Sequence, residues 1–97
     1  MPKDPRERAR NNARQLKTWK RIFTHPTPND IPWKKIRSLL LYLGYTIKND
    51  GGSAVTIVKN GIPKTVHTPH GSGKAKHMPQ DAVRRIRNFM KKMEDVP

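Results

Sequence analysis

Three histidines, His67, His70 and His77, fall within a short stretch of this chain, and two lysines, Lys74 and Lys76, stand among them. Imidazole exchanges a proton near neutrality and nearby ammonium groups stabilise negative charge, so the stretch has the residue types for acid–base work on a phosphodiester. The same residues also make a plain phosphate-binding surface. On residue types alone that surface ranks above catalysis, because a histidine pair in a polar loop is a weak signal. Zinc is the less favoured reading: three imidazoles could ligate it, but no carboxylate or thiolate joins them and the surrounding positive charge opposes a cation. No metal and no cofactor are expected.

The rest of the inventory narrows the chemistry further. There is no cysteine, which excludes thiol nucleophiles and a disulfide-stabilised secreted scaffold and makes the cytoplasm the default location. No glycine-rich phosphate loop precedes a helix, and no two carboxylates stand at a spacing suited to acid–base catalysis. Asp81 is better explained by the dipole of the helix it begins. The longest apolar run, Leu39 to Leu43, is far too short to span a membrane, and the first thirty residues lack the apolar stretch of a signal peptide. A soluble protein with no membrane partner is expected.

Charge points to the partner. With 21 Lys and Arg against 7 Asp and Glu, the 97 residues carry a formal charge of +14. A domain this small repels itself unless a polyanion neutralises it, and nucleic acid is the first candidate. An amphipathic membrane-binding helix with a bulky apolar face is not evident.

The chain divides by composition into residues 1–28 and 29–97. The first part holds 8 basic and 2 acidic residues and ends in the breakers His25-Pro26-Thr27-Pro28. It reads as a basic arm, partly helical between Pro5 and about Phe23, that either docks at its end through Leu16, Trp19 and Phe23 on one helical face or stays a solvated tail with a transient helix. The second part begins with a helix capped by Asn29 or Asp30. Trp33, Ile36, Leu39, Leu40 and Leu43 make its stripe, and Gly44 ends it in a left-handed cap. The period then falls to two, giving strands at Tyr45–Lys48, Ala54–Lys59 and Ile62–His67. A last helix from Pro79 to about Met93 carries Val83, Ile86, Met90 and Met93 inward, with Arg84, Arg85 and Arg87 around them. The fold class is α+β: a small α-β-β-β-α sandwich with an N-terminal basic helical arm.

One dipeptide sets the geometry of the candidate residues. Asn60-Gly61 favours a two-residue type I′ turn, which makes paired residue numbers sum to 121 and puts Ala54 opposite His67. Val55, Ile57, Ile62 and Val66 then share the face under the helices. Ala54, Thr56, Thr65 and His67 share the open face, which becomes the working surface.

The order Trp33-Lys34-Lys35-Ile36-x-x-Leu39-Leu40-x-x-Leu43-Gly44-Tyr45, then Gly52-Ser53-Ala54-Val55, then His67-Thr68-Pro69-His70 and a basic helix, resembles the HicA family of toxin endoribonucleases. The resemblance covers about Asn29 to Met93 and leaves the basic arm outside the family pattern. It implies a double-stranded-RNA-binding-domain-like fold, metal-independent cleavage of messenger RNA and inhibition by a HicB-type antitoxin that offers acidic residues to the working face. It also implies a basic catalytic residue, commonly His, where this chain has Ala54. A methyl group moves no proton, so the chain is either an inactivated form, which is favoured, or a divergent member that relies on His67 and His70. The remaining RNA-contacting candidates are Ser53 and Thr56 near the open face, Lys74, Lys76 and His77 in the loop, and Arg84 and Arg85 on the last helix. A non-enzymatic RNA- or DNA-binding module is the rival reading.

Charge alone gives a first prediction. If about six phosphates are neutralised, affinity for an RNA oligonucleotide falls by roughly three decades between 50 and 200 mM salt. Binding measured by anisotropy across that range checks it; a flat profile removes polyanion binding.

Overall fold

The computed structural model describes residues 4–68 and 77–97. Its elements are α1 (Pro5–Arg10), α2 (Ala13–Ile22), α3 (Trp33–Tyr42), β1 (Thr46–Asn49), β2 (Ala54–Lys59), β3 (Ile62–His67) and α4 (Gln80–Lys92). The strands form one antiparallel sheet in the order β1-β2-β3. Helices cover one face of it: Val55, Ile57 and Val66 are buried beneath them, whereas Thr46, Lys48, Thr65 and His67 on the other face are exposed.

The strongest periodic segment forms as its residues dictate. Ile36, Leu39, Leu40 and Leu43 are fully buried along one side of α3. The helix ends in a Schellman motif: Gly44 takes φ +96°, its N–H donates to the Leu41 carbonyl and the Tyr45 N–H donates to the Leu40 carbonyl. Because this cap uses the Tyr45 backbone, β1 starts one residue later than the alternation suggests. The N-terminal cap also differs from expectation. Neither Asn29 nor Asp30 caps α3; Pro32 holds that position without a side-chain bond, and Asp30 is paired with Arg21 instead. The Arg21 hydrogen bond holds the Asp30 carboxyl below the usual carboxylate range.

Residues 1–28, read from composition as a peripheral arm, supply core. The expected single helix is broken at Asn11–Asn12, where the Asn12 side chain caps α2 by accepting from the Gln15 N–H. That break lets α1 and α2 pack on each other. α2 then sits between α3 and α4, contacting both, and α1 also meets α3. Ala9, Trp19 and Ile22 are completely buried in the same cluster as Leu40, Ile86 and Met90. Docking thus involves the whole segment and not only its end. The expected apolar face is shifted as well: Trp19 and Ile22 go inward, and Leu16 and Phe23 are only partly covered.

The C-terminal tail is bonded to these N-terminal helices. Met93 ends α4, Glu94 takes a positive φ of 62°, and the Asp95 N–H donates back to the Met90 carbonyl, folding Asp95 into the interior. The Asp95 carboxylate accepts from the Tyr45 hydroxyl and the Lys59 ammonium, both at 2.6 Å, while its carbonyl accepts from the Trp19 indole at 3.0 Å. Burial, and then the hydrogen bond to Asp95, push the Tyr45 hydroxyl far above its ordinary range, so it stays a donor. Arg6 and Arg10 of α1 donate to the Glu94 and Val96 carbonyls. Arg87, expected among the exposed cations of α4, is also buried, with Nη1 donating to Thr27 Oγ1 at 3.0 Å.

Removing one partner of a buried ion pair leaves the other charge uncompensated, which costs about 3–5 kcal/mol. Asp95→Ala should therefore lower the melting temperature by more than about 10 °C, given the usual shift per kcal/mol for a domain of this size. Thermal unfolding followed by circular dichroism tests it, and a shift within a few degrees would show that the cluster contributes little.

Candidate nucleic-acid interface

The hairpin that carries the candidate residues forms in the expected register. Asn60 and Gly61 have φ of 53° and 77°, the left-handed pair that a type I′ turn requires. β2 and β3 pair from Lys59 opposite Ile62 to Ala54 opposite His67. In such a hairpin the residues flanking the turn exchange both backbone hydrogen bonds, and the pairs alternate from there. Val58–Pro63, Thr56–Thr65 and Ala54–His67 are then non-hydrogen-bonded pairs, whose side chains approach most closely. Pro63, which has no N–H, fits at such a position. The Thr56 and Thr65 hydroxyl oxygens, 3.0 Å apart, show how near these side chains come.

His67 lies at the end of the edge strand β3 on the open face, exposed, and not in the apolar interior. Ser53 Oγ is 3.5 Å from its Nδ1, at the outer limit of a hydrogen bond. Among the described residues its other ring nitrogen has no partner, and no carboxylate pairs with the ring. Thr68 fixes the strand end from behind, its N–H and hydroxyl both donating to the Ser53 carbonyl at 2.8 and 3.1 Å. The Ala54 methyl, half-buried, faces the imidazole.

The other candidates distribute over several places. His70, Lys74 and Lys76 lie outside the described residues. His77 is on the chain's return to the helical layer: its backbone bridges to Pro32 at the start of α3, next to the Met78 N–H that donates to the Ile31 carbonyl. Arg84 and Arg85 are exposed on α4 and both pair with Asp81, at 3.9 and 3.1 Å. Of these two, Arg85 reaches the neighbourhood of His67. It helps line a groove of about 390 Å³ between the β3 edge and α4, with Thr65, His67 and Asp81. A second groove continues along the same edge past Lys64, Asn88 and Lys92.

Asp50, which has no acidic neighbour, also belongs to this face. The loop between β1 and β2 turns back through Gly51 and Gly52, both at positive φ, and the Asp50 N–H donates to the Ala54 carbonyl. The Asp50 carboxylate then accepts from the Thr56 hydroxyl, which is bonded in turn to Thr65. Thr56 is thus committed to an internal network. Its signal lay in the strand register: Lys48 opposite Thr56 leaves Asp50 to fold over the same face. Among the described residues the open face is thus nearly neutral, with Lys48 set against Asp50. Most of the lysines and arginines are on the four helices.

Among the described residues no three His, Asp or Glu side chains gather as a metal site needs. No described helix is long and apolar enough to cross a membrane. Comparison with protein-family models, with curated proteins and with solved structures finds no match for this chain.

The cysteine-free chain permits a direct test of the pairing on which the site depends. Opposed Cα atoms in a non-hydrogen-bonded pair are about 4.5 Å apart, within disulfide range. Ala54→Cys with His67→Cys should oxidise to an intramolecular disulfide, while Ala54→Cys with Thr65→Cys should remain two free thiols. Thiol titration after mild oxidation separates them.

Proposed function

We propose that this chain is a HicA-like RNA-binding domain, the toxin partner of a toxin–antitoxin pair, with its endoribonuclease centre disabled at Ala54. The observation that carries the reading is the register that sets Ala54 directly across from His67 on the open face. A basic side chain at position 54 would stand beside that imidazole, close enough for both to touch one scissile phosphate. One imidazole could then take the proton of the 2′-hydroxyl while the second cationic group protonates or stabilises the leaving oxygen. No metal is needed for that division of labour. With a methyl group at position 54 one of the two partners is missing, so RNA is held and not efficiently cut.

The grooves along the β3 edge support the binding half of the proposal. Lys64, Arg85 and Lys92 offer phosphate contacts there, and His67 stands at the end nearest the open face. A HicB-type antitoxin of acidic character would mask this region and compete with RNA, neutralising the surface that RNA would otherwise neutralise. A non-enzymatic RNA- or DNA-binding module is the second reading. It is favoured by the described part of the open face, where Asp50 offsets Lys48 and no described carboxylate orients the imidazole.

Restoring the missing group discriminates the two. Ala54→His should gain RNA cleavage that persists in excess chelator, and adding His67→Ala should abolish it while RNA affinity changes only slightly. If the Ala54→His protein is folded, binds RNA and cuts none, the nuclease reading fails and the binding module stands.

A further inference from the structure

The near-neutrality of the described open face raises the question of where a nucleic-acid strand finds its neutralising charge. A cleft of about 320 Å³ lies between α2 and α3, lined by Arg14, Gln15, Thr18, Lys34, Lys35 and Ser38. The two sets of residues have the same spacing, i, i+1 and i+4, which places each set on one side of its helix. Residues outside the family-like pattern build one wall, and the first helix of that pattern builds the other.

We propose that this cleft binds backbone phosphates of an RNA strand, as an anchoring site on the helical layer separate from the His67 face. The inference rests on RNA being the partner and not on cleavage.

Three features of the cleft argue for an anionic occupant. The first is uncompensated charge. All seven acidic residues of the chain lie within the described residues, and their ion pairs are elsewhere: Asp4 with Arg6, Asp30 with Arg21, Asp81 with Arg84 and Arg85, and Asp95 with Lys59 and Arg6. Arg14, Lys34 and Lys35 have none. The second is their position. Lys34 and Lys35 occupy the first turn of α3, which has no acidic residue and no side-chain cap, and Arg14 occupies the first turn of α2, which has no acidic residue either. Cations at the positive end of a helix dipole are unfavourably placed, and an anion in the cleft reverses the sign of that interaction.

The third feature is a pair of buried, hydrogen-bonded polar side chains at the cleft. Gln15 and Thr18 are only 8% and 6% exposed, an unusual burial for polar residues in a helix that also carries Trp19 and Ile22 into the core. The Thr18 hydroxyl donates to the Arg14 carbonyl at 3.4 Å. The Gln15 amide donates to Ser38 Oγ at 3.0 Å. Ser38 is therefore fixed as an acceptor on one side, and its own proton is left to donate to a phosphate oxygen. Three cations, a fixed hydroxyl donor and two helix N-terminal halves together make a phosphate cradle that uses no base-specific group, which suits backbone anchoring.

The test compares two triple variants of the full chain with the wild type, using one RNA oligonucleotide across a salt series. The cleft variant carries Arg14→Gln, Lys34→Gln and Lys35→Gln. The control carries Lys17→Gln, Lys20→Gln and Arg37→Gln, which removes the same charge from exposed positions of the same two helices. Three lost phosphate contacts at about 0.7 each make the slope of log affinity against log salt shallower by about 2 for the cleft variant. The advantage of wild type over that variant then shrinks about 15-fold between 50 and 200 mM salt. The control keeps the wild-type slope within about half a unit. Equal slopes for the two variants overturn the inference while leaving RNA as partner, whereas no RNA binding by the wild type overturns the RNA reading itself. Inorganic phosphate and adenosine monophosphate, titrated while following the Gln15 side-chain amide by NMR, separate the sources. A small-anion response with equal RNA slopes assigns the cleft to a free phosphate compound and rejects the strand.

Discussion

The buried Asp95 carboxylate is the point at which the segments of this domain meet. Asp95 gathers the Tyr45 hydroxyl, the Lys59 ammonium and, through its carbonyl, the Trp19 indole. These partners come from the end of the α3 cap, from β2 and from α2. Lys59 also donates to the Leu43 carbonyl and lies 4.6 Å from the centre of the Tyr45 ring, so the cluster is satisfied from several sides. A buried ion pair of this kind is weak evidence of net stabilisation, because desolvation opposes the attraction. Its effect here is geometric: it fixes where the tail, the N-terminal helices and the turn end of the hairpin meet.

That meeting point explains why a chain of such low apolar content still builds a core. A three-stranded sheet with two helices splayed on it leaves a furrow, and α2 fills it with Trp19 and Ile22. Arginines serve as clamps in the same region. Arg8 stacks over Tyr42 and Arg10 over Trp19, at 5.1 and 5.5 Å from the ring centres, and Arg6 and Arg10 hold the tail by its carbonyls. Part of the positive charge is thus structural. Among the described residues, the part that remains free is spread over the helices and the β3 edge, where Arg85 and His67 line one groove.

Much of the sheet and of the candidate site was legible from local rules. Asn60-Gly61 set the turn, the turn set the pairing, and the pairing put Ala54 and His67 across from each other. Gly44 ended α3 as a left-handed cap, and the stripe from Ile36 to Leu43 pointed inward. The errors share a cause. Asp30 reads as a cap, Arg87 as a solvated cation and the first 28 residues as an arm. In each case the governing partner lies outside the local pattern: Arg21, Thr27 and the tail. Composition assigns charged residues to solvent by default, and only a specific distant acceptor can overrule that default.

By itself, then, the sequence determined the elements whose hydrogen bonds close over a few residues: the α3 stripe and its cap, the hairpin and its register, and the exclusion of thiol chemistry. Tertiary structure decided which charges are spent and which stay free. Long-range pairs form only when chain segments far apart in number are brought together by burial. Asp95 with Lys59, Arg87 with Thr27 and Trp19 with the tail are all of that kind, and no local pattern announces them.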